Sequence, residues 1–314
     1  MSRWLATGRS CSLIRLCSLI QRGPTRVVRS CRNATASITL EEMSTEQSSS
    51  NPVGRGAQAI IADGNRLPIE IARRSPPPDL AYWIDYLWVV RWQTAKPHVQ
   101  RVIPQPVVHL AAEDGRLLVH GVGETHFSRT LLGEGCVVGV ALRPGGLRGF
   151  TSTPMSRLAR SVCPAAEVIG VDDRPLAREL LFGDRSDDEL AASCWAWLRS
   201  GEPTADPMIE VIAGLVRRAE GDVEITRAEQ LADVAGVSLR SLQRQFAGYV
   251  GIGPKWVIQR FRLLDVAAVA NAGGVIDWAS TAQRLGFTDQ PHLIRAFRAI
   301  VGSPPKSYVR NQVS

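Results

Sequence analysis

Two stretches near the end of the chain place arginine and glutamine where they would share one exposed helix face. The two sets hold three residues each: Arg240, Gln243 and Arg244, then Gln290, His292 and Arg295. Arginine and glutamine are well shaped for paired hydrogen bonds to the edges of guanine and adenine in the major groove. The six residues are therefore candidates for reading the bases of double-stranded DNA.

Both sets belong to a segment that the chain repeats. The pattern L-x-R-x-F-x3-V-G-x2-P-K occupies residues 242–255 and again residues 293–306, and an A-x3-G pattern precedes each copy at 232–236 and 282–286. A repeat at one offset indicates two copies of one structural unit. A helix, a short turn with glycine and a second amphipathic helix is the pattern of a helix-turn-helix.

The first copy carries signals for where its helices begin and end. Thr226 with Glu229 forms a capping box, which predicts the start of a helix that Gly236 ends. Ser238 can cap the next helix. The apolar residues of that helix recur at spacings of three and four, on the face opposite the arginines: Leu239, Leu242, Phe246 and Val250.

The second copy repeats these signals. Asp277 caps a first helix, Gly286 ends it, and Asp289 caps the next helix, with Pro291 in its first turn, where a missing N–H costs nothing. An ordinary helical domain with solvated arginines is the alternative. Because cap, turn, apolar stripe and exposed polar face recur together, the base-reading interpretation is favoured.

Residues 226–310 resemble the DNA-binding domain of the AraC/XylS family of bacterial transcription regulators. The motifs that carry the resemblance are S-L-R-S-L-Q-R-Q-F at 238–246, R-x-R-L at 260–263, G-F-T-D-Q-P-H-L-I-R-A-F-R at 286–298 and V-G-x-x-P-K-x-Y at 301–308. The resemblance implies two helix-turn-helix units, each turning one set of base-reading candidates toward a successive major groove of promoter DNA.

The resemblance also implies how these units are joined and controlled. One long helix over residues 256–271, ended by Gly273 and Gly274, would connect them. A small-molecule effector would regulate the protein, and RNA polymerase and a second copy of the chain are further candidate partners.

The charge is unevenly distributed. The net charge is +7, and residues 1–35 hold seven arginines and no acid, so they account for all of it. Residues 222–314 carry eleven basic against seven acidic residues, whereas residues 36–221 carry nineteen against twenty-three. A basic region beside a slightly acidic one fits a sensor joined to a phosphate-binding domain.

Residues 1–56 are predicted to be a disordered extension, and a translation start assigned too early, with Met43 as the true start, fits the same composition. Richness in Arg and Ser without acids is also typical of an organelle targeting peptide. The apolar run at 11–20 is too short to span a bilayer. We therefore expect a cytoplasmic protein without a membrane partner.

The six cysteines form no C-x-x-C pair, which favours reduced thiols.

Residues 57–175 are predicted to form a β-rich sensor domain. Strands are expected at 83–92, 107–112, 117–122 and 136–142, with a turn at residues 113–116. The run from Pro104 through V-H-L, G-R-L-L-V-H-G-V and R-P-G-G resembles the cupin-like sensor of one AraC subgroup. The resemblance implies a small barrel with room for an effector. Three tryptophans could line that pocket: Trp83, Trp88 and Trp92.

A metal-binding cupin-type enzyme or sensor is the alternative function. Its candidate ligands are His109, His120 and His126 with Glu113 or Glu124. No H-x-H pair occurs, and a histidine on a strand is more often a structural residue. Motifs of nucleophilic, phosphate-binding or zinc enzymes are also missing from the sequence. The chain is therefore expected to be no enzyme and to carry no catalytic residue, metal or cofactor.

Residues 176–207 are predicted to be a helical linker, and residues 208–314 the DNA-binding domain. Helices are expected at 173–182 and 187–199, the second with an apolar face. That face could form a dimer interface or pack back on the barrel. The overall prediction is a multidomain α+β chain: an N-terminal β-rich cupin-like barrel with a helical extension, and a C-terminal all-α domain with two helix-turn-helix units.

Overall fold

The computed structural model describes residues 69–182, 185–271, 274–305 and 308. The predicted extension at 1–56, the start at Met43 and Gly273 lie outside the described residues. A β-rich region comes first. Its strands are β1 (Ile69–Arg74), β2 (Ile84–Val102), β3 (His109–Glu113), β4 (Arg116–His120), β5 (Phe127–Leu142) and β6 (Val162–Pro164).

These strands form one antiparallel sheet in the order β1-β2-β5-β3-β4-β6. The predicted closed barrel is wrong, because β1 and β6 are the two edges of an open sheet in the described part of the chain. Strand lengths give the physical reason. β2 and β5 have 19 and 16 residues, so their far halves run beyond the short strands β3, β4 and β6 as a two-stranded ribbon.

The predicted turn between β3 and β4 is confirmed. Glu113 pairs with Arg116, and the two residues between them have positive φ, 49° at Asp114 and 76° at Gly115. Positive φ at both central positions is the backbone of the tight hairpin turn that follows the right-handed twist of strands. Aspartate followed by glycine adopts it at little cost, so the sequence identified this element correctly.

One face of the sheet forms the core of the β-rich region. Alternate residues such as Leu87, Val89 and Leu110 are buried on it, as period-two side-chain alternation requires. Three helices pack there: α1 (Ala165–Ile169), α2 (Arg174–Phe182) and α3 (Asp187–Ser200). The apolar stripe of α3 is buried within the chain itself: Leu190, Cys194, Trp195 and Leu198. The stripe thus serves packing inside the chain.

A helical region follows. Its helices are α4 (Pro207–Gly221), α5 (Ala228–Ala235), α6 (Leu239–Tyr249), α7 (Pro254–Asn271), α8 (Trp278–Arg284) and α9 (Gln290–Val301). α7 is the long connecting helix that the resemblance implied. No helix in the described residues is long and apolar enough to cross a membrane.

Most predicted caps are confirmed. The side chains of Ser238, Asp277 and Asp289 accept hydrogen bonds from backbone N–H groups in the first turns of α6, α8 and α9. The predicted cap of α5 is wrong in detail. The helix begins after Arg227, and Gln230, one residue beyond the predicted glutamate, accepts from the backbone N–H groups that precede it.

Candidate DNA-binding interface

Two helix pairs with matching turns dominate the helical region. We call α5 with α6 the first helix pair and α8 with α9 the second helix pair. The turn of the first contains Gly236 at φ 65°, and the turn of the second contains Gly286 at φ 70°. A Cβ at either glycine would meet no atom within 4 Å. Glycine is therefore favoured by the left-handed backbone and not by lack of space.

Helix α6 separates a buried face from a polar face. Leu242 and Phe246 are fully buried, whereas Arg240, Gln243 and Arg244 are exposed. The 3.6-residue period of a helix produces this separation from apolar residues spaced three and four apart. The polar face of α6 is thus exposed, as the helical periodicity predicted.

Helix α9 repeats this arrangement with one difference. Leu293 and Phe297 are fully buried, and Gln290 and Arg295 are exposed. His292 is only half-buried, with its ring edge-on to Phe287 at a centroid distance of 5.2 Å. His292 therefore contributes to packing at the turn as well as to the outer face.

Further exposed cations of the helical region lie on or next to the helix pairs. Lys255 opens α7, Arg284 ends α8, and Arg298 follows Arg295 by one turn of α9. Exposed lysine and arginine beside a candidate base-reading face are suited to contact phosphates. Arg298 could be found from the apolar periodicity of α9. Lys255 is the last residue of the first copy of the repeated pattern. Arg284 had no signal beyond its charge.

The R-x-R-L motif is structural, since both of its arginines are buried on α7. Arg262 donates to the carbonyl oxygens of Asp222, Ala219 and Glu220 at 2.5, 2.8 and 3.0 Å. These carbonyls lie at the C-terminal end of α4, where they lack partners within the helix. Arg262 therefore ties α4 to the connecting helix and helps to orient the first helix pair.

Arg260, the other arginine of the motif, links the connecting helix to the β-rich region. Its Nε donates to the carbonyl oxygen of Pro104, just after β2. Its guanidinium lies 4.9 Å from the ring centre of Phe261. Burial lowers the pKa of Arg260 to about 10, which still leaves it charged near neutral pH. Arg260 thus joins the helical region to the β-rich region, and neither arginine of the motif is exposed.

The first helix pair is docked on the β-rich region through the segment after β5. Arg143 donates to both carboxylate oxygens of Glu210 on α4, at 2.7 and 2.9 Å. The hydroxyl of Tyr249, the last residue of α6, donates to Asp206 at the N-cap of α4 at 2.5 Å, and the guanidinium of Arg148, after β5, lies 5.4 Å from the Tyr249 ring centre. A Cβ at Gly251 would lie 2.7 Å from the carbonyl oxygen of Met155, so this junction is in close contact.

The second helix pair is docked at the far end of the β2–β5 ribbon. The backbone N–H of His126 donates to the carbonyl oxygen of Ala299 on α9 at 2.8 Å, and its ring Nδ1 lies 3.0 Å from the same oxygen. A Cβ at Gly302 would lie 2.7 Å from Arg101. Ile103, which follows β2, is buried in the core of this pair. No sequence pattern predicted these contacts.

The structure does not gather the candidate metal ligands at one point. His109 and His120 are paired across β3 and β4, and Nε2 of His120 lies 3.4 Å from Oε1 of Glu113. His126 is instead at the junction with α9, and Glu124 accepts from Arg160. In the described part of the chain, no group of three or more His, Cys, Asp or Glu could hold a metal ion.

Three comparisons with known proteins bear on the two regions. Residues 231–311 match the family described as a helix-turn-helix domain, and residues 72–164 match a domain of unknown function, DUF6597. An AraC-like transcription regulator of Streptomyces lividans is 36% identical over 78 residues, which are 25% of this chain and 25% of that protein. The chain thus matches about a quarter of the length of this curated relative.

Two solved structures are similar in part. The C-terminal domain of AraT, a response regulator from Geobacillus stearothermophilus, is 24% identical, with 31% of this chain and 84% of that one covered and a TM-score of 0.26. ToxT from Vibrio cholerae is 12% identical, with 77% and 97% covered and a TM-score of 0.33. The resemblance that the C-terminal motifs indicated is confirmed by the sequence matches, and the helical region contains a helix-turn-helix domain of the AraC type.

Proposed function

We propose that this protein is a sequence-specific, DNA-binding regulator of transcription that acts in the cytoplasm on promoter DNA. In this proposal α6 and α9 are the two recognition helices. Arg240, Gln243 and Arg244 read bases in one major groove. Gln290, His292 and Arg295 read bases in the next.

One observation carries the proposal. The two helices bury the corresponding apolar positions of the repeat, Leu242 with Phe246 and Leu293 with Phe297, while five of the six base-reading candidates are exposed. Helices that only complete a core do not need a repeated arginine- and glutamine-bearing face. Caps, turns and buried positions also agree between the two copies, which makes a shared function the simplest reason for the repeat.

The β-rich region would supply control. We propose that it binds a small-molecule effector, and that binding shifts the equilibrium between conformations in which the helix pairs are placed differently on DNA. The junctions at Tyr249 and at His126 are the contacts through which such a shift would reach α6 and α9. RNA polymerase and a second copy of the chain stay predicted partners.

The test is binding of the purified protein to genomic fragments from around its own gene, at two salt concentrations and with competitor DNA. We expect a protected site with two elements about one helical turn apart. Arg244→Ala and Arg295→Ala should each weaken specific binding by about 1–3 kcal/mol and relax the preference at one base pair. Arg178→Ala is the control, since Arg178 is an exposed arginine on α2, outside the helix pairs.

The result separates specific from general contacts. Loss confined to one element of the site in each variant would support the assignment of one recognition helix to each groove. Normal binding and normal base preference in both variants would show that these faces do not read DNA. An equal loss in Arg178→Ala would mean that the effect is one of total charge.

A further inference from the structure

We infer that the sheet face opposite α1, α2 and α3 binds a flat, neutral aromatic molecule that carries a hydroxyl or carbonyl oxygen. This rests on the proposed function in one respect, because it assigns the effector a site and a chemical class. We call this surface the tryptophan face. It is defined by Trp88 and Trp92 on β2, Gly135 and Gly139 on β5, and His109 on β3.

Strand pairing brings these residues onto one side of the sheet. Trp88 pairs with Gly139, which in turn pairs with Ala111 of β3, and Trp92 pairs with Gly135. Directly paired residues of antiparallel strands point to the same face. The same rule places Leu87 and Val89, the buried residues on either side of Trp88, on the opposite face, where the helices pack.

Glycine is required on β5 by the tryptophans themselves. A Cβ at Gly139 would lie 2.3 Å from the indole ring of Trp88, and a Cβ at Gly135 would lie 2.1 Å from that of Trp92. Both indoles therefore lie directly on the backbone of β5. Two half-buried aromatic rings laid on a strand in this way form a flat apolar platform, which suits offset stacking with another flat ring.

The platform holds polar atoms that the chain leaves without a partner. The indole nitrogens of Trp88 and Trp92 and Nδ1 of His109 are covered from solvent and have no hydrogen-bond partner. The rings of Trp88 and His109 meet edge-on at a centroid distance of 6.4 Å. Indole N–H is a donor only, and a buried donor without an acceptor costs free energy. A ligand oxygen that displaces the covering side chains and accepts from it would recover that cost.

The charges around this face favour a neutral ligand. Glu113 has His120 at 3.4 Å and Arg129 at 3.6 Å, and Arg73 lies over the ring of Tyr86 at 4.8 Å. These charged groups are already engaged. Burial lowers the pKa of His109 to about 4, so its ring is neutral near pH 7 and Nδ1 can also accept from a ligand hydroxyl.

The neighbours of the tryptophans argue against a sugar. Apart from Arg73, which pairs with Trp88 and lies over the ring of Tyr86, the positions between and beside them are filled by apolar side chains: Val90, Val137, Ala111 and Leu118. A sugar turns several hydroxyl groups toward its site, and each would need a polar partner on burial. An aromatic ring with one or two oxygens matches the tryptophan face, which offers few hydrogen-bond donors on a mostly apolar surface.

The test uses 2-naphthol as the probe, with the full chain in the absence of DNA, by equilibrium dialysis at pH 7.5. Naphthalene lacks the oxygen, 2-naphthoate adds a charge, and glucose replaces the ring. We expect 2-naphthol to bind at least about tenfold more tightly than each of the three. Trp88→Phe, which keeps a ring but removes the N–H, should weaken 2-naphthol binding about three- to tenfold.

Two further variants complete the design. Gly139→Ala should displace the Trp88 ring and weaken 2-naphthol binding more strongly than Trp88→Phe. Should it fail to fold, Trp92→Phe provides a second deletion of an indole N–H on the same face. Trp278→Phe is the control, because Trp278 lies on α8 and packs against Phe297, 6.0 Å between ring centres. It should leave 2-naphthol binding unchanged.

The outcomes are distinct from those of the DNA experiment. Failure of 2-naphthol to bind, equal binding of glucose or 2-naphthoate, or unchanged affinity in Trp88→Phe and Trp92→Phe would overturn the site and its ligand class. None of these results bears on the base-reading arginines. Conversely, 2-naphthol binding with no effect on a protected DNA site would keep the ligand site and reject its role as the effector site.

Discussion

The two helix pairs are nearly the same in sequence pattern but differ in the core to which they belong. Leu242 and Phe246 of the first helix pair lie in one continuous cluster of buried residues that includes the sheet core at Leu110 and Val140. Leu293 of the second helix pair lies in a separate cluster. The first helix pair therefore shares the core of the sheet, whereas the second helix pair has a core of its own.

This difference shows what a repeated motif specifies and what it does not. The caps, the turns and the apolar stripe depend on neighbouring residues, and both copies of the repeat contain them. The surroundings of each copy come from other parts of the chain. Among the described residues, Ile103, just after β2, is the one buried apolar residue of the β-rich region in the second cluster, so the apolar contact there is narrow. A narrow contact is easier to shift, which makes the second helix pair the better candidate for regulated movement.

The repeated V-G dipeptide carries a second function in both copies. Gly251 and Gly302 have φ of 94° and 87°, which favours glycine after a helix. Each also approaches the β-rich region closely, Gly251 at Met155 and Gly302 at Arg101. In each copy, one glycine therefore follows the second helix of the pair and permits its close approach to the β-rich region.

The largest expected effect is from removing one leucine in each core. Leu242→Ala and Leu293→Ala both empty a fully buried position and should each cost about 2–5 kcal/mol. Because the first cluster is shared with the sheet, Leu242→Ala should lower protection from hydrogen exchange in both α6 and β5. Leu293→Ala should lower it in α9 and leave β5 unchanged. Peptide-resolved exchange measures both.

If the two variants showed the same exchange pattern, the proposed difference between the cores of the two helix pairs would be wrong. Loss of protection throughout the chain in Leu293→Ala would show that the two clusters unfold as one cooperative unit. Val234→Ala offers a control on the same background, since Val234 is an exposed apolar residue of α5.

Acid should affect the shared core next most strongly. The pKa of His109 is lowered from 6.5 to about 4 by burial. The unfolded chain therefore binds this proton first as the pH falls, and the stability present above pH 6.5 is lost progressively down to about pH 4. Between pH 7 and pH 5 the loss should be about 2 kcal/mol, measured by urea unfolding of the β-rich region.

His109→Gln is the matched variant for this prediction, because its side chain does not titrate. Its unfolding free energy should change less between pH 7 and pH 5 than that of the native chain. The same pH dependence in both proteins would assign the acid effect to other groups. Unfolding of the second helix pair should respond least, since His109 is not in its cluster.

The sequence was most informative where structure is local. The caps at Ser238 and Asp289, the turn at Gly236 and the hairpin at Asp114 were identified from neighbouring residues. The open sheet was not, because its edges depend on the pairing of distant strands. β1 and β6 were also missed, because half of the six residues of β1 are charged and β6 has three residues.

The candidate DNA-binding interface was likewise predictable only where it depends on local sequence. The exposed faces of α6 and α9 followed from helical periodicity. The role of Arg260 and Arg262 did not, since arginine in a helix is usually exposed and only the carbonyls that they meet explain their burial. Unpartnered indole nitrogens on Trp88 and Trp92 likewise become visible only when the facing glycines are known.

The smallest expected effects come from single deletions at the two junctions. Tyr249→Phe removes the hydroxyl that donates to Asp206 and should cost about 1–2 kcal/mol. Ile103→Val removes one methyl group from the second cluster and should cost about 0.5–1.5 kcal/mol. Tyr249→Phe should reduce hydrogen-exchange protection in α6 together with the sheet, and Ile103→Val should reduce it in α9 alone. If Ile103→Val changed α6 as much as α9, the contact at Ile103 would join both pairs to one core. The second helix pair would then have no independence through which an effector could move it.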